Sequence, residues 1–177
     1  IGCNSGINSI LLARTGAAKV VGLDSEEYWP YWKEQASFVK SALEYRCNIK
    51  YNIEFIDGKM QNIPELDLGR FDFVLALCCI YYINENDMQN LFEHFKQQNA
   101  TIVLQGNTNK NDQKGETAKR AHPEFIRKLL LKVGYQVTWV DKPLFYNRPV
   151  VVGTRYDYRH RFSGKKDRIR NWIRKLL

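Results

Sequence analysis

The sequence lacks any run of about 18 apolar residues, which excludes a membrane-spanning helix. Its first residue is Ile1 rather than Met, and no charged stretch precedes an apolar one, so no signal peptide is visible. Cysteine is sparse: Cys3, Cys47, Cys78 and Cys79 show no CxxC spacing and form no metal-ligand pattern with His94, His122 and His160. No metal site is expected, and a reduced, cytoplasmic setting is. His122 precedes Pro123 and reads as a helix cap or surface residue. Neither it nor His160 has a carboxylate at a spacing that suggests a triad. Internal repeats and low-complexity segments are absent as well.

A one-signed charge over the body is also lacking. The net charge is +8, but residues 154–177 hold nine Lys/Arg against two acids, which leaves residues 1–153 at +1. Any polyanion argument therefore rests on the tail alone. The tail carries Trp172, Ile173, Leu176 and Leu177 among its basic residues. Three readings stay open: contact with a nucleic-acid phosphate, contact with an acidic membrane surface, or the start of a further element.

What is present is an ordinary globular composition, with 44% hydrophobic and 26% charged residues in 177. A glycine-rich turn, IGCNSG, leads into a helix over about 7–14 that Gly16 stops. AKVVGLD (18–24) reads as a buried parallel strand. A helix is expected from Ser25 to about Tyr45, restarted after Pro30, and a strand over 52–58 follows. RFDFVLALCCIYYI (70–83) reads as a strand buried on both faces. A helix over 84–99, a strand over 100–107, a polar loop over 107–120, a helix closed by Gly134 and two final strands complete the pattern. Strand and helix alternate four times. That predicts an α/β, doubly wound, mostly parallel sheet with a C-terminal antiparallel hairpin on its edge.

The glycine turn carries the chemistry. Gly2 and Gly6 tolerate positive φ freely, and Asn4 is among the better non-glycine choices. The helix that follows offers free N–H groups to a polar ligand. Asp24 lies 22 residues beyond Gly2, at the end of the next strand, where a carboxylate can accept both hydroxyls of a ribose. A dinucleotide site would carry a third glycine in GxGxxG, whereas the spacing here is GxNxG.

On the stretches IGCNSG, VVGLDSE, FIDGKMQNIP, FDFVLALCCIYYI and RPVVVGTR, the chain resembles the Rossmann-like (class I) SAM-dependent methyltransferases over about residues 1–155. Within them it looks closest to the tRNA wobble-uridine carboxymethyltransferase group and its relatives. The resemblance implies that Gly2, Asn4 and Gly6 wrap the methionine part of S-adenosylmethionine (SAM). It implies that Asp24 holds the ribose with Ser25 and Glu26 beside it, and that Met60 and Gln61 edge the adenine. Leu77 and Tyr81 would line the methyl-transfer side, with Tyr81 in a positioning role. Arg148 would face a carboxylate of substrate or cofactor.

The function these readings imply is SAM-dependent methyl transfer to a small molecule, a saccharide or lipid precursor, or an RNA base. A non-catalytic SAM-binding or scaffold domain is the alternative. A nicotinamide-dependent oxidoreductase would need a third glycine and a sixth parallel strand, which the sequence does not show. Residues 1–155 are expected to form the methyltransferase domain, and 156–177 a basic tail or the start of another element. A first strand is expected immediately before Ile1, so that residues 1–177 are a fragment, poorly folded or inactive on its own.

Overall fold

A computed structural model describes residues 1–108, 114–140 and 148–154, and the basic tail lies outside the described residues. The chain divides into two units, Ile1–Ile63 and Pro64–Leu177.

In the first unit the glycine turn opens α1 (Ile7–Arg14). β1 (Val20–Asp24), α2 (Trp32–Cys47) and β2 (Ile53–Asp57) follow. β1 and β2 pair in parallel, in a register that sets Asp24 opposite Asp57. Ile10, Val20, Trp32, Ala36, Ile53 and Phe55 share one buried cluster. Trp32 meets the Phe55 ring edge-on at 6.1 Å. Burying side chains of this size contributes about 1.5–3 kcal/mol each. The helix expected to restart after Pro30 is α2, while the stretch from Ser25 to Pro30 forms a turn instead of helix. The Ser25 carbonyl accepts the N–H groups of Tyr28 and Trp29 in a separate turn, and Tyr31, at φ 63°, interrupts the chain before Trp32. Pro30 explains the break: it cannot donate, and it drives the residue before it out of the helical region.

The second unit runs β3 (Phe73–Leu77), α3 (Glu85–Gln97), β4 (Thr101–Gln105), α4 (Gly115–Ala121), α5 (Pro123–Val133), β5 (Gln136–Val140) and β6 (Val150–Thr154). The strand order is β3-β4-β6-β5, with β3–β4 parallel and both pairings of β6 antiparallel. The helix faces are apolar where they meet the core. Met88, Leu91, Phe92 and Phe95 of α3 are buried, as are Ile126, Leu129, Leu130 and Val133 of α5. The α/β class with a mixed sheet and a terminal hairpin is as the alternation predicts.

Three details differ. The strand expected over 70–83 is only five residues long, because Cys78 turns to φ 56° and a short 3-10 turn, Ile80–Tyr82, follows. Its residues alternate between half-buried and buried, so it is not covered equally on both faces. α4 occupies part of the segment expected to be loop. In the hairpin it is β6 that lies inside the sheet, between β4 and β5.

Candidate functional site

Positive φ recurs at every second residue of the opening turn: 63° at Gly2, 45° at Asn4 and 76° at Gly6. Left-handed residues so spaced fold the chain back on itself, so that Gly6 donates to the Cys3 carbonyl at 2.8 Å. Gly6 is also where space runs out. A Cβ there would lie 2.8 Å from the Phe55 ring and 3.0 Å from Ala36 Cβ. No side chain caps the start of α1. Its first-turn N–H groups therefore have no capping oxygen and are suited to a polar ligand.

The turn is latched to β1. Gly2 and Cys3 N–H both donate to the Leu23 carbonyl, at 2.9 and 3.3 Å. Asp24 Oδ2 accepts the Asn4 N–H at 2.8 Å and Oδ1 the Ser25 N–H at 2.9 Å. A carboxylate has about four acceptor positions, so two hydrogen bonds leave capacity for a pair of vicinal hydroxyls. Ser25 is buried beside it.

Glu26 is engaged at the start of α2. Its carboxylate accepts the Tyr31 N–H at 2.6 Å and the Lys33 N–H at 3.3 Å, tying down the start of α2. The Glu26 N–H itself donates to Asp57 Oδ1 at 2.8 Å. Asp57 is not among the residues that the sequence reading marks for the site. Its signal was there, since FIDG ends in an acid just as VVGLD does, and the parallel register brings both acids to one sheet end. Met60 and Gln61 open a 3-10 turn that follows β2, and both are half-buried. The Gly58 N–H donates to the Asp24 carbonyl at 2.9 Å, holding this connection against the end of β1. Lys59 pairs with Glu27 at 2.6 Å and lies 5.6 Å over the Tyr28 ring. That contact favours its charged form, and the Glu27 bond raises its pKa. Trp32 is core, whereas Trp29 and Tyr31 are exposed.

The other predicted residues belong to the second unit. Leu77 is the last residue of β3, half-buried and paired in register with Gln105. Tyr81 is only 1% exposed, its ring 4.9 Å from that of Tyr82, and its carbonyl accepts from Arg120 Nε at 3.2 Å. The exposed ring of the pair is Tyr82. Arg148 leads into β6, and its Nη1 donates to Cys78 Sγ at 3.2 Å. His122 caps α5, its Nδ1 accepting the Glu124 N–H at 3.3 Å. Among the described residues there is no cluster of potential metal ligands and no helix long and apolar enough to cross a membrane.

The profile of the methyltransferase-domain family matches residues 1–98. Among solved structures, the chain is similar to magnesium protoporphyrin IX methyltransferase from Synechocystis PCC 6803 with bound SAM. The TM-score is 0.61 at 19% identity, over 88% of this chain and 67% of that one. It is also similar to an O-methyltransferase family protein from Burkholderia thailandensis, with a TM-score of 0.60 at 12% identity over 89% and 50% of the two chains. The pyocyanin biosynthetic protein PhzM gives 0.58 at 18%, over 88% and 48%. At these identities the likeness is one of fold. The chain spans 67%, 50% and 48% of the lengths of these three proteins. A search of curated proteins finds no match.

Proposed function

The chain belongs to the methyltransferase-domain family, with SAM as cofactor, and from that premise we propose that it transfers the methyl group of SAM in line to an acceptor nucleophile. The observation that carries this reading is the opening turn. Three left-handed residues lead into an uncapped helix, latched to an acid with acceptor capacity for a ribose. The donor set fits the cofactor: backbone N–H groups for its carboxylate, and Asp24 for its hydroxyls.

SAM supplies a methyl group already activated by a sulfonium, so no strong acid–base pair is required of the protein. The chain's task is to hold the reacting groups in line. Gly2, Asn4 and Gly6 shape the turn around the methionine portion, and Asp24 with Ser25 orients the ribose. Met60 and Gln61 are assigned to the adenine edge. Leu77 offers an apolar side chain at the carboxyl end of β3, and excluding water there strengthens every charge interaction. Tyr81, buried as it is, supports that end through packing.

The acceptor proposed is a small molecule, a saccharide or lipid precursor, or an RNA base. Arg148 is assigned to a carboxylate. It is the one residue that favours the finer likeness to the wobble-uridine group, whose relatives keep an arginine at this position near the cofactor's carboxylate. The test is calorimetric titration with S-adenosylhomocysteine (SAH), with NADH as control. Micromolar binding of the first and none of the second is expected. Binding of NADH alone would replace the methyltransferase reading with the nicotinamide one.

A further inference from the structure

Cys78 has a backbone φ of 56°, a region that a residue with a Cβ keeps only when its surroundings hold it there. It follows β3 directly, at the carboxyl end of the parallel pair β3–β4. Open α/β sheets bind their ligands at that end. A ring of three hydrogen bonds surrounds it. The Cys78 thiol donates to Gln105 Oε1 at 2.9 Å, and Gln105 Nε2 donates to the Arg148 carbonyl at 3.3 Å. Arg148 Nη1 donates back to Cys78 Sγ at 3.2 Å. The three residues come from three neighbouring strands: the ends of β3 and β4 and the lead-in to β6.

The ring fixes the orientation of the Gln105 amide. A carbonyl oxygen only accepts, so Gln105 must turn its NH2 toward Arg148 and its oxygen toward Cys78. An oxygen facing sulfur requires an S–H between them; a thiolate would set one lone pair against another. Within the ring the Cys78 thiol thus donates to Gln105 and accepts from Arg148 at once, which makes it a clamp on the guanidinium. Gln105 is only 8% exposed, so removing the thiol leaves a buried amide oxygen without its donor.

We propose that Cys78 is a positioning residue for Arg148: its thiol, with Gln105, aims the guanidinium at the carboxyl end of the sheet for pairing with a carboxylate. The inference rests on the assignment of Arg148 to a carboxylate made above. A guanidinium recognises a carboxylate through a planar fork, so the direction of that fork governs the pairing.

The test uses the full chain as Cys78→Ala, Cys78→Gly and Cys78→Ser. It reads the rate at which phenylglyoxal modifies Arg148, followed by peptide mass spectrometry, beside SAH calorimetry and thermal melting. Alanine and glycine are expected to raise the Arg148 rate about fivefold, the equivalent of one lost hydrogen bond. Serine keeps a donor and an acceptor on one atom and should stay within about twofold of the wild type. Glycine also relieves the positive-φ strain, so it separates backbone from side chain. A glycine variant that is modified like the wild type would show that only the backbone matters and would overturn the proposal. Equal rates in all variants would overturn it too. If the alanine variant fails to fold, glycine and serine carry the same comparison. A wild-type chain that fails to bind SAH would remove the cofactor reading and leave the Arg148 comparison intact.

Discussion

Asn4 and Asp24, twenty residues apart, are joined by a hydrogen bond from the Asn4 backbone N–H to Asp24 Oδ2 at 2.8 Å. The acid placed for the ribose thus also closes the turn placed for the methionine portion. The two halves of the proposed cofactor site are mechanically one, and a change at Asp24 acts on both.

Replacing Asp24 with alanine should weaken SAH binding by about 10- to 100-fold, because a charge-assisted bond of about 1.5–3 kcal/mol is lost. The latch to Asn4 goes with it, so protease cleavage within residues 2–6 should also quicken. Calorimetry and limited proteolysis of the same variant check both effects. Unchanged SAH affinity would remove Asp24 from the ribose.

Glu26 is expected to behave differently. Its carboxylate holds the Tyr31 and Lys33 N–H groups at the start of α2. Glu26→Ala should therefore cost about 1 kcal/mol of stability, as loss of a helix cap does. SAH affinity should stay within a few-fold. Urea titration beside calorimetry separates the two, and a loss of affinity as large as that of Asp24→Ala would place Glu26 on the cofactor.

Gly6 and Gly16 both have positive φ, at 76° and 95°, but only Gly6 is crowded. At Gly16 a Cβ meets nothing within 4 Å, so Gly16→Ala should cost about 1 kcal/mol of backbone strain. At Gly6 the Cβ would also press on Phe55 and Ala36, which adds about 1–3 kcal/mol of overpacking. Chemical denaturation of the two variants should rank them in that order.

What acts over a few residues is legible in the sequence, and what depends on distant partners is not. The turn, α1, β1 and β2 follow from glycine spacing and apolar runs, which act over a few residues. Asp24 could be placed because a strand end is a position, not a contact. Cys78 could not, because its role arises from Gln105 and Arg148, which are 27 and 70 residues away. Its apolar neighbours, Leu77 and Cys79, disguise the turn as more strand. α4 reads as loop in the sequence because GETAKRA shows no apolar face. The break at Pro30 is legible from proline chemistry, whereas Ser25 caps only a turn before it, because Pro30 stops that turn from continuing into α2.

His94 gives a pH dependence with a definite sign. Gln98 Oε1 accepts the Phe71 N–H at 2.8 Å, so the amide turns its NH2 to His94 Nε2 at 2.9 Å. That nitrogen must accept, which makes the ring neutral with its proton on Nδ1. Burial acts in the same direction and lowers the pKa of His94 from its ordinary 6.5. The unfolded chain therefore binds a proton near pH 6.5 that the folded chain resists. Stability is intact above that pH and falls as the pH drops through 6.5 toward the folded value. Glu44, whose pKa is lowered chiefly by the Tyr51 N–H, loses its contribution only below its ordinary 4.5, so a melt at pH 5.5 reads His94 before Glu44 begins to titrate in the unfolded chain. Melting at pH 7.5 and 5.5 should show a drop in the wild type, and His94→Gln should abolish most of it. An equal drop in both would mean that His94 keeps its proton in the fold, and that the Gln98 amide is turned the other way.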